Sequence, residues 1–212
     1  MSLPVIILGA GGHAKVLIDA LLATSAVIAG IVDPDLTLTG SRILGVPVLG
    51  NDDIISDFPP SKVNLVNGLG SIGLPVKRQQ LFKRLKGLGY DFTTVVHPSA
   101  IIAPDVVLGE GTQVMAGVII QPGCRIGINS IINTSASIDH DCIIGDHAHI
   151  APGVTMSGGV KVGTCSHIAT AATVIQGVSI GEKSLVGAGA LVLKDVSPSI
   201  TVVGVPAKVM KP

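Results

Sequence analysis

The chain reads as a mixed fold, a small N-terminal Rossmann-like α/β domain over residues 1–97 followed by a parallel β-helix over 98–212. Three observations carry that reading. Counting in sixes from Ile102 meets a bulky aliphatic at every step as far as Val192, sixteen in one unbroken frame. An apolar run, Val5 to Leu8, closes on Gly9-Ala10-Gly11-Gly12 and leads into an amphipathic segment. Only 2% of the residues are Phe, Trp or Tyr, although 47% are hydrophobic, so the core lacks the usual large fillers and must be narrow.

In the first unit, Val5 to Leu8 reads as a strand and the segment through Val16, Leu17, Ala20 and Leu21 as a helix. The spacing Gly9-x-Gly11-x-x-Ala14 between them matches the dinucleotide fingerprint, in which glycines let the backbone approach a diphosphate at a helix N-terminus. A second strand, Ile28 to Val32, ends in Asp33, about twenty residues after the glycines, where an acid would meet a ribose hydroxyl. A third strand over Val63 to Val66 leads through Asn67-Gly68-Leu69-Gly70 to a helix beginning near Pro75. A fourth apolar stretch, Phe92 to Val96, delivers the chain through His97-Pro98 into the repeat. Fewer than a hundred residues are too few for a full six-stranded dinucleotide domain. Half of one accommodates a single nucleoside diphosphate, so a nucleotide sugar fits better than a dinucleotide.

A period of six fits neither a helix at 3.6 nor a lone strand at 2, but it suits a coil of three short faces, eighteen residues per turn. Stacked coils at the roughly 4.8 Å strand spacing place residues eighteen apart in ladders. The aliphatics fill the prism. A second frame two residues earlier, from Ala100 to Ala190, holds only Val or small residues such as Ser130 and Ala136, which fit where the faces meet. Cys124 and Cys142 belong to this frame and read as buried small hydrophobes. Cys165 has no chemical role in its pattern either.

Net charge is zero and the 14 Lys and Arg residues are scattered, so neither nucleic acid nor an anionic membrane is expected as a partner. Turn or charged residues interrupt every apolar stretch before the roughly 18 residues of a spanning helix. Met1 runs into Val5 to Leu8 without a basic n-region or small-residue cleavage site, and three cysteines without metal-ligand spacing suit a reducing compartment; a cytoplasmic protein without a secretory signal or a metal is expected.

Polar chemistry concentrates between Ile132 and His149, where three of the six histidines lie within ten residues. His140 falls at a coil corner with its side chain outward. His149 and His167 are eighteen apart and should stack in adjacent coils as surface packing. The register leaves no long loop between Ile102 and Val192 to build a pocket, so a cleft must come from surfaces meeting.

Gly9-Ala10-Gly11-Gly12-His13-x-Lys15, Asn133-Thr134-x-x-x-x-Asp139-His140-Asp141-Cys142 and Gly204-Val205-Pro206-Ala207-Lys208 together resemble the PglD/NeuD group of hexapeptide-repeat sugar acetyltransferases along essentially the whole chain. The resemblance implies a left-handed coil, a homotrimer, acetyl-CoA as co-substrate and a nucleotide-linked amino sugar as acceptor. It makes His140 the general base and Asp141 the residue that orients it, with Asp in place of the Glu of some members. Asn133 would lie beside the sugar. His149, Gly158 and Gly187 would lie beside acetyl-CoA, the first two at the thioester. Gly11, Gly12, His13 and Asp33 would hold the nucleotide, and the Gly204 to Lys208 segment would lie near the CoA nucleotide.

The chemistry agrees. A sugar ammonium must lose a proton before attacking a thioester, and a histidine can accept it near neutral pH. No cysteine is placed to carry the acyl group, so direct transfer is expected. Adjacent residues in extended chain point to opposite sides, so Asp141 reaches His140 only if the corner bends. O-acetylation of a sialic acid or similar sugar, and a non-catalytic nucleotide-binding scaffold, remain open on the residues alone.

Overall fold

The structure, a computed structural model, describes residues 3–210. The N-terminal unit contains β1 (Val5–Leu8), α1 (Gly12–Ala23), β2 (Ile28–Val32), β3 (Arg42–Ile43), β4 (Val46–Gly50), β5 (Asn64–Asn67) and α2 (Val76–Gly87). Strand order in its sheet is β3-β4-β2-β1-β5, parallel except for the β3–β4 hairpin. β1 is buried along its whole length, as its unbroken apolar run requires of a central parallel strand. It releases the chain at its carboxyl end into the glycine turn, the usual ligand edge of such a sheet. The hairpin of β3 and β4 has no counterpart in the sequence reading, because Val46-Pro47-Val48-Leu49-Gly50 lies among turn residues.

From Val95 onward the chain is a left-handed parallel β-helix of two-residue strands, each paired in parallel with the strand eighteen residues away. Its three faces hold eight, six and five strands. The first face begins at Val95–Val96, the second at Ile101–Ile102 and the third at Val107–Leu108. The first rung thus starts three residues before residue 98, where the coil is expected to begin. The expected strand Phe92 to Val96 is split: Phe92 bridges back to Leu65 in the Rossmann-like sheet, and Val95–Val96 pairs forward into the coil. At the far end Thr201–Val203 adds a rung to the first face and Lys208–Val209 folds back on it antiparallel.

The second and third faces run without interruption from Ile102 to Val192, and both sequence frames, from Val114 through Ile180 and from Val118 through Ala190, lie in one buried core. A third frame sets the corners. Every sixth residue from Gly111 to Gly189 has a left-handed backbone, with φ between +51° and +78°. Half of these are glycine, which takes that conformation freely. The rest, including Asn129, Asp141 and His147, are held there by the stacked rungs.

The N-terminal unit covers the first face. Outward residues Val95, Gln113, Ile131, His149 and His167 are all buried beneath it, whereas Ile101 on the second face and Val107 and Ile143 on the third are exposed. Phe82 of α2 stacks on Phe92, their ring centroids 4.3 Å apart, and meets the His147 ring edge-on. No helix of the described residues is long and apolar enough to cross a membrane.

Candidate active site

A cavity of about 700 Å3 lies where the carboxyl edge of the Rossmann-like sheet meets the coil. The sheet contributes the glycine turn, Asp33 and the loop from Gly68 to Ile72; the coil contributes Asn133, Thr134, His149 and Pro152. A Cβ built on Gly11 or Gly12 would meet no atom within 4 Å, so the space these glycines leave belongs to the cavity. α1 starts on Gly11 without a side-chain cap, which leaves its first-turn N–H groups for an anion. Asp33 stiffens the turn: its Oδ2 accepts from Ala10 N at 2.7 Å and its Oδ1 from Asp35 N at 2.9 Å. An ionised carboxylate retains lone pairs beyond those two bonds.

Behind the cavity a polar network joins the units. Arg78 is fully buried, with no carboxylate partner among the described residues; its guanidinium donates to the carbonyls of Asn67 (2.7 Å), Leu69 (2.9 Å) and Asn129 (3.2 Å). Burial lowers its pKa to about 9. Asn67 donates to Asn129 Oδ1 at 3.1 Å, and Asn129 Nδ2 lies 2.9 Å from His147 Nδ1. Gln113 donates from Nε2 to Asn67 O at 2.8 Å, so its amide oxygen faces His13 Nε2 at 2.7 Å. His13 therefore carries its proton on Nε2. Burial, then the Arg78 cation, lowers the His13 pKa to about 4.

His149 is fixed in the opposite tautomer. Thr134 N donates to Asn133 Oδ1 at 2.8 Å, which turns Asn133 Nδ2 toward His149 Nε2, 3.2 Å away. Nε2 must accept, so the proton sits on Nδ1 and points at Ser71 Oγ, 2.8 Å away. Burial, reinforced by His167, His13 and Arg78, holds His149 neutral with a pKa of about 2. The His149 and His167 rings meet edge-on with centroids 4.7 Å apart. They do stack in adjacent coils, but under the N-terminal unit rather than on the surface.

His140 stands at the corner between the second and third faces. The left-handed backbone of Asp141, φ +59°, bends the chain so that its Oδ2 accepts from His140 Nδ1 at 2.8 Å. The bend supplies what extended chain could not. Nε2 is then the unprotonated nitrogen, and it faces outward: the side chains are 53% and 72% exposed. The hydrogen bond to Asp141 raises the His140 pKa, with the charges of Asp139 and Asp141 adding to it.

The ring lies directly against Gly158, one coil on at the same corner. Asn133 and His149 line the cavity at the corner between the first and second faces, so the geometry pairs Gly158 with His140 and separates it from His149. Gly187 lies three rungs beyond Asn133, where a Cβ would come 2.7 Å from Val203. Its small size serves the last rung of the coil. Cys124 and Cys142 donate to the carbonyls of Asp139 and Ser157 behind the His140 corner, and burial raises both thiols.

Gln113, Asn67, Arg78 and Ser71 were not singled out by the sequence. The available signal was the outward ladder Val95, Gln113, Ile131, His149, His167, in which no residue carries a fixed charge.

Residues 4–85 match the model of the PglD N-terminal domain family, and residues 123–158 match that of the bacterial transferase hexapeptide repeat. A histidine-to-asparagine variant of perosamine N-acetyltransferase from Caulobacter crescentus, solved with CoA and GDP-perosamine, is 40% identical. Its TM-score is 0.92, over 99% of this chain and 97% of that one. The acetyltransferase domain of PglB from Neisseria gonorrhoeae, solved with acetyl coenzyme A, is 31% identical with a TM-score of 0.91, over 99% and 100% of the two chains. UDP-N-acetylbacillosamine N-acetyltransferase from Bacillus subtilis is 39% identical over 117 residues, a match spanning about half of that protein, 51%, and 53% of this one.

A hexapeptide coil capped on one face by a nucleotide-type α/β domain, with a histidine and carboxylate at a coil corner, defines an acetyltransferase of the hexapeptide-repeat class. Within that class the chain belongs to the PglD/NeuD family of sugar acetyltransferases.

Proposed function

We propose that this protein transfers the acetyl group of acetyl-CoA directly to the amine of a nucleoside diphosphate-linked amino sugar, a 4-amino-4,6-dideoxy sugar or one like it, with His140 as general base. The observation that carries this reading is the His140–Asp141 hydrogen bond: it spends Nδ1 and leaves Nε2 as the one open, basic nitrogen.

In this reading the glycine turn and the uncapped start of α1 hold the diphosphate, and Asp33 holds a ribose hydroxyl. Nε2 of His140 takes the proton from the attacking amine, and the new C–N bond forms at the thioester carbonyl. The C–S bond then breaks, and the thiolate of CoA leaves and takes up a proton. Asp141 stabilises the imidazolium that forms meanwhile. Backbone N–H groups beside the imidazole, that of Gly158 first, face the developing oxyanion.

The cavity and His140 occupy different corners of one prism. We place them together across a homotrimer interface, so that His140 of one protomer serves the cavity of its neighbour. The uncovered second and third faces, with Ile101, Val107 and Ile143 outward, supply apolar surface for that contact.

The test is mass spectrometry of UDP- and GDP-linked amino sugars incubated with acetyl-CoA and the purified protein. An added acetyl group on the sugar nitrogen is the expected product. Transfer to hydroxyl-only sugars, or hydrolysis of acetyl-CoA without transfer, contradicts the reading.

A further inference from the structure

We propose that Ser71 is a substrate-binding residue whose hydroxyl hydrogen is aimed at an oxygen acceptor on the sugar-diphosphate portion of the ligand. The inference rests on the function proposed above and deepens it. It follows from the direction of every hydrogen bond in one chain. Thr134 N–H can only donate, so the Asn133 oxygen faces it and the Asn133 amide N–H faces His149. His149 Nε2 must then accept, and Nδ1 must carry the proton and donate to Ser71 Oγ.

Ser71 thus receives a hydrogen bond from the histidine and cannot return one. Its own hydrogen is unspent, since among the described residues its hydroxyl makes no other hydrogen bond. The residue lines the cavity, on the loop between β5 and α2 that also carries Gly68 and Gly70. The backbone of that loop is pinned from behind by Arg78, which holds the carbonyls of Asn67 and Leu69. A donor held this way, opposite the glycine turn, matches the oxygen-rich, anionic portion of a nucleotide sugar. Its place in the cavity lined by the glycine turn and Asp33, away from the corner of His140 and Gly158, assigns it to the nucleotide sugar rather than to the acetyl thioester. The buried Arg78 cation, which has no carboxylate partner among the described residues, favours the same negative ligand. Three elements far apart in sequence cooperate: the corner at Asn133 orients His149, His149 polarises Ser71, and Ser71 meets the ligand.

Calorimetry on wild type and Ser71→Ala, with the intact nucleotide sugar, with UDP or GDP alone, and with acetyl-CoA, tests this. Ser71→Ala is expected to weaken the nucleotide sugar by about tenfold or more, the worth of one hydrogen bond to a charged or strongly polar oxygen. Acetyl-CoA binding should be unchanged. An equal loss with the bare nucleoside diphosphate identifies a phosphate oxygen as the acceptor; a loss confined to the intact nucleotide sugar identifies a sugar oxygen. Nitrogen-15 NMR of wild type should report the Nδ1–H tautomer at His149. Affinity for the nucleotide sugar within twofold of wild type, or an Nε2–H tautomer at His149, overturns the proposal. Failure of wild type itself to bind any UDP- or GDP-linked sugar overturns it by removing the functional reading on which it rests, and is told apart by the wild-type titration alone.

Discussion

A side chain on Gly158 would occupy the space of the His140 imidazole: a Cβ built there collides with Nε2 and lies 2.5 Å from Cε1. The glycine one coil along is therefore the floor on which the ring rests, and Asp141 is the hand that turns it. Because His140 is exposed, the clash in Gly158→Ala is relieved by swinging the imidazole outward, at little cost to the fold. We expect kcat to fall at least about tenfold, since an ångström of misplacement is costly in catalysis. Unfolding free energy should stay within about 0.5 kcal/mol of wild type. Denaturant titration beside steady-state kinetics checks both.

At the glycine turn the backbone borders open cavity. Nothing in the protein would touch a Cβ on Gly12, so Gly12→Val should fold. Its methyl groups would fill the approach to the diphosphate. Calorimetry should show nucleotide-sugar binding reduced far more than acetyl-CoA binding, and equal losses for both ligands would contradict the assignment of the glycine turn to the nucleotide.

The buried histidines make the fold sensitive to acid. His13 and His147 both have folded pKa values of about 4, each lowered chiefly by burial, against about 6.5 when unfolded. A group with a depressed folded pKa contributes stability that is fully present above the unfolded value and lost as pH falls toward the folded one. Between about pH 6.5 and 4 His13 therefore removes up to about 1.4 kcal/mol per pH unit, and His147 acts in the same direction. Urea midpoints should be flat from pH 8 to 7 and fall progressively from pH 6.5 to 5. A midpoint unchanged at pH 5 would contradict neutral burial.

Much of this was legible in the residues and some was not, for definable reasons. The coil was readable because its aliphatic frame from Ile102 to Val192 never slips, and one geometric cause, stacking at eighteen residues, forces all of it. The corner frame was harder to see: Asn129, Asp141, His147 and Lys183 adopt the backbone that glycine takes at Gly111 and Gly123, so composition there is mixed while conformation is uniform. His140 and Asp141 stood out as adjacent polar groups, yet their mutual bond depends on that backbone. The placement of His149 could not be read, because residues eighteen apart share a face whether solvent or a second domain covers it. Arg78, Gln113 and Ser71 act across the contact between units, and no local spacing encodes a contact between residues 78 and 129.

The proposed trimer would unite His140 with the cavity, which lie at separate corners of one prism. Sedimentation at micromolar concentration should give three copies, and placing a charge on the third face, as in Ile143→Asp, should lower both the mass and the activity. A fully active monomer would contradict a site shared between protomers.

In the proposed mechanism Nε2 of His140 removes the proton from the attacking amine. The decisive measurement is the pH dependence of kcat in wild type, His140→Ala and Asp141→Asn. Asp141 raises the His140 pKa, and a base works only when unprotonated, so the wild-type rate should climb as pH rises through that raised value. Asp141→Asn should shift the climb to lower pH while lowering the plateau, because the imidazole keeps its proton acceptor but loses the charge that stabilises the imidazolium. His140→Ala should lose the climb and about 10²- to 10⁴-fold of kcat, with the Kd of acetyl-CoA nearly unchanged and the fold intact. A His140→Ala protein that keeps more than about a tenth of wild-type kcat with the same pH profile would show that the proton leaves by another route.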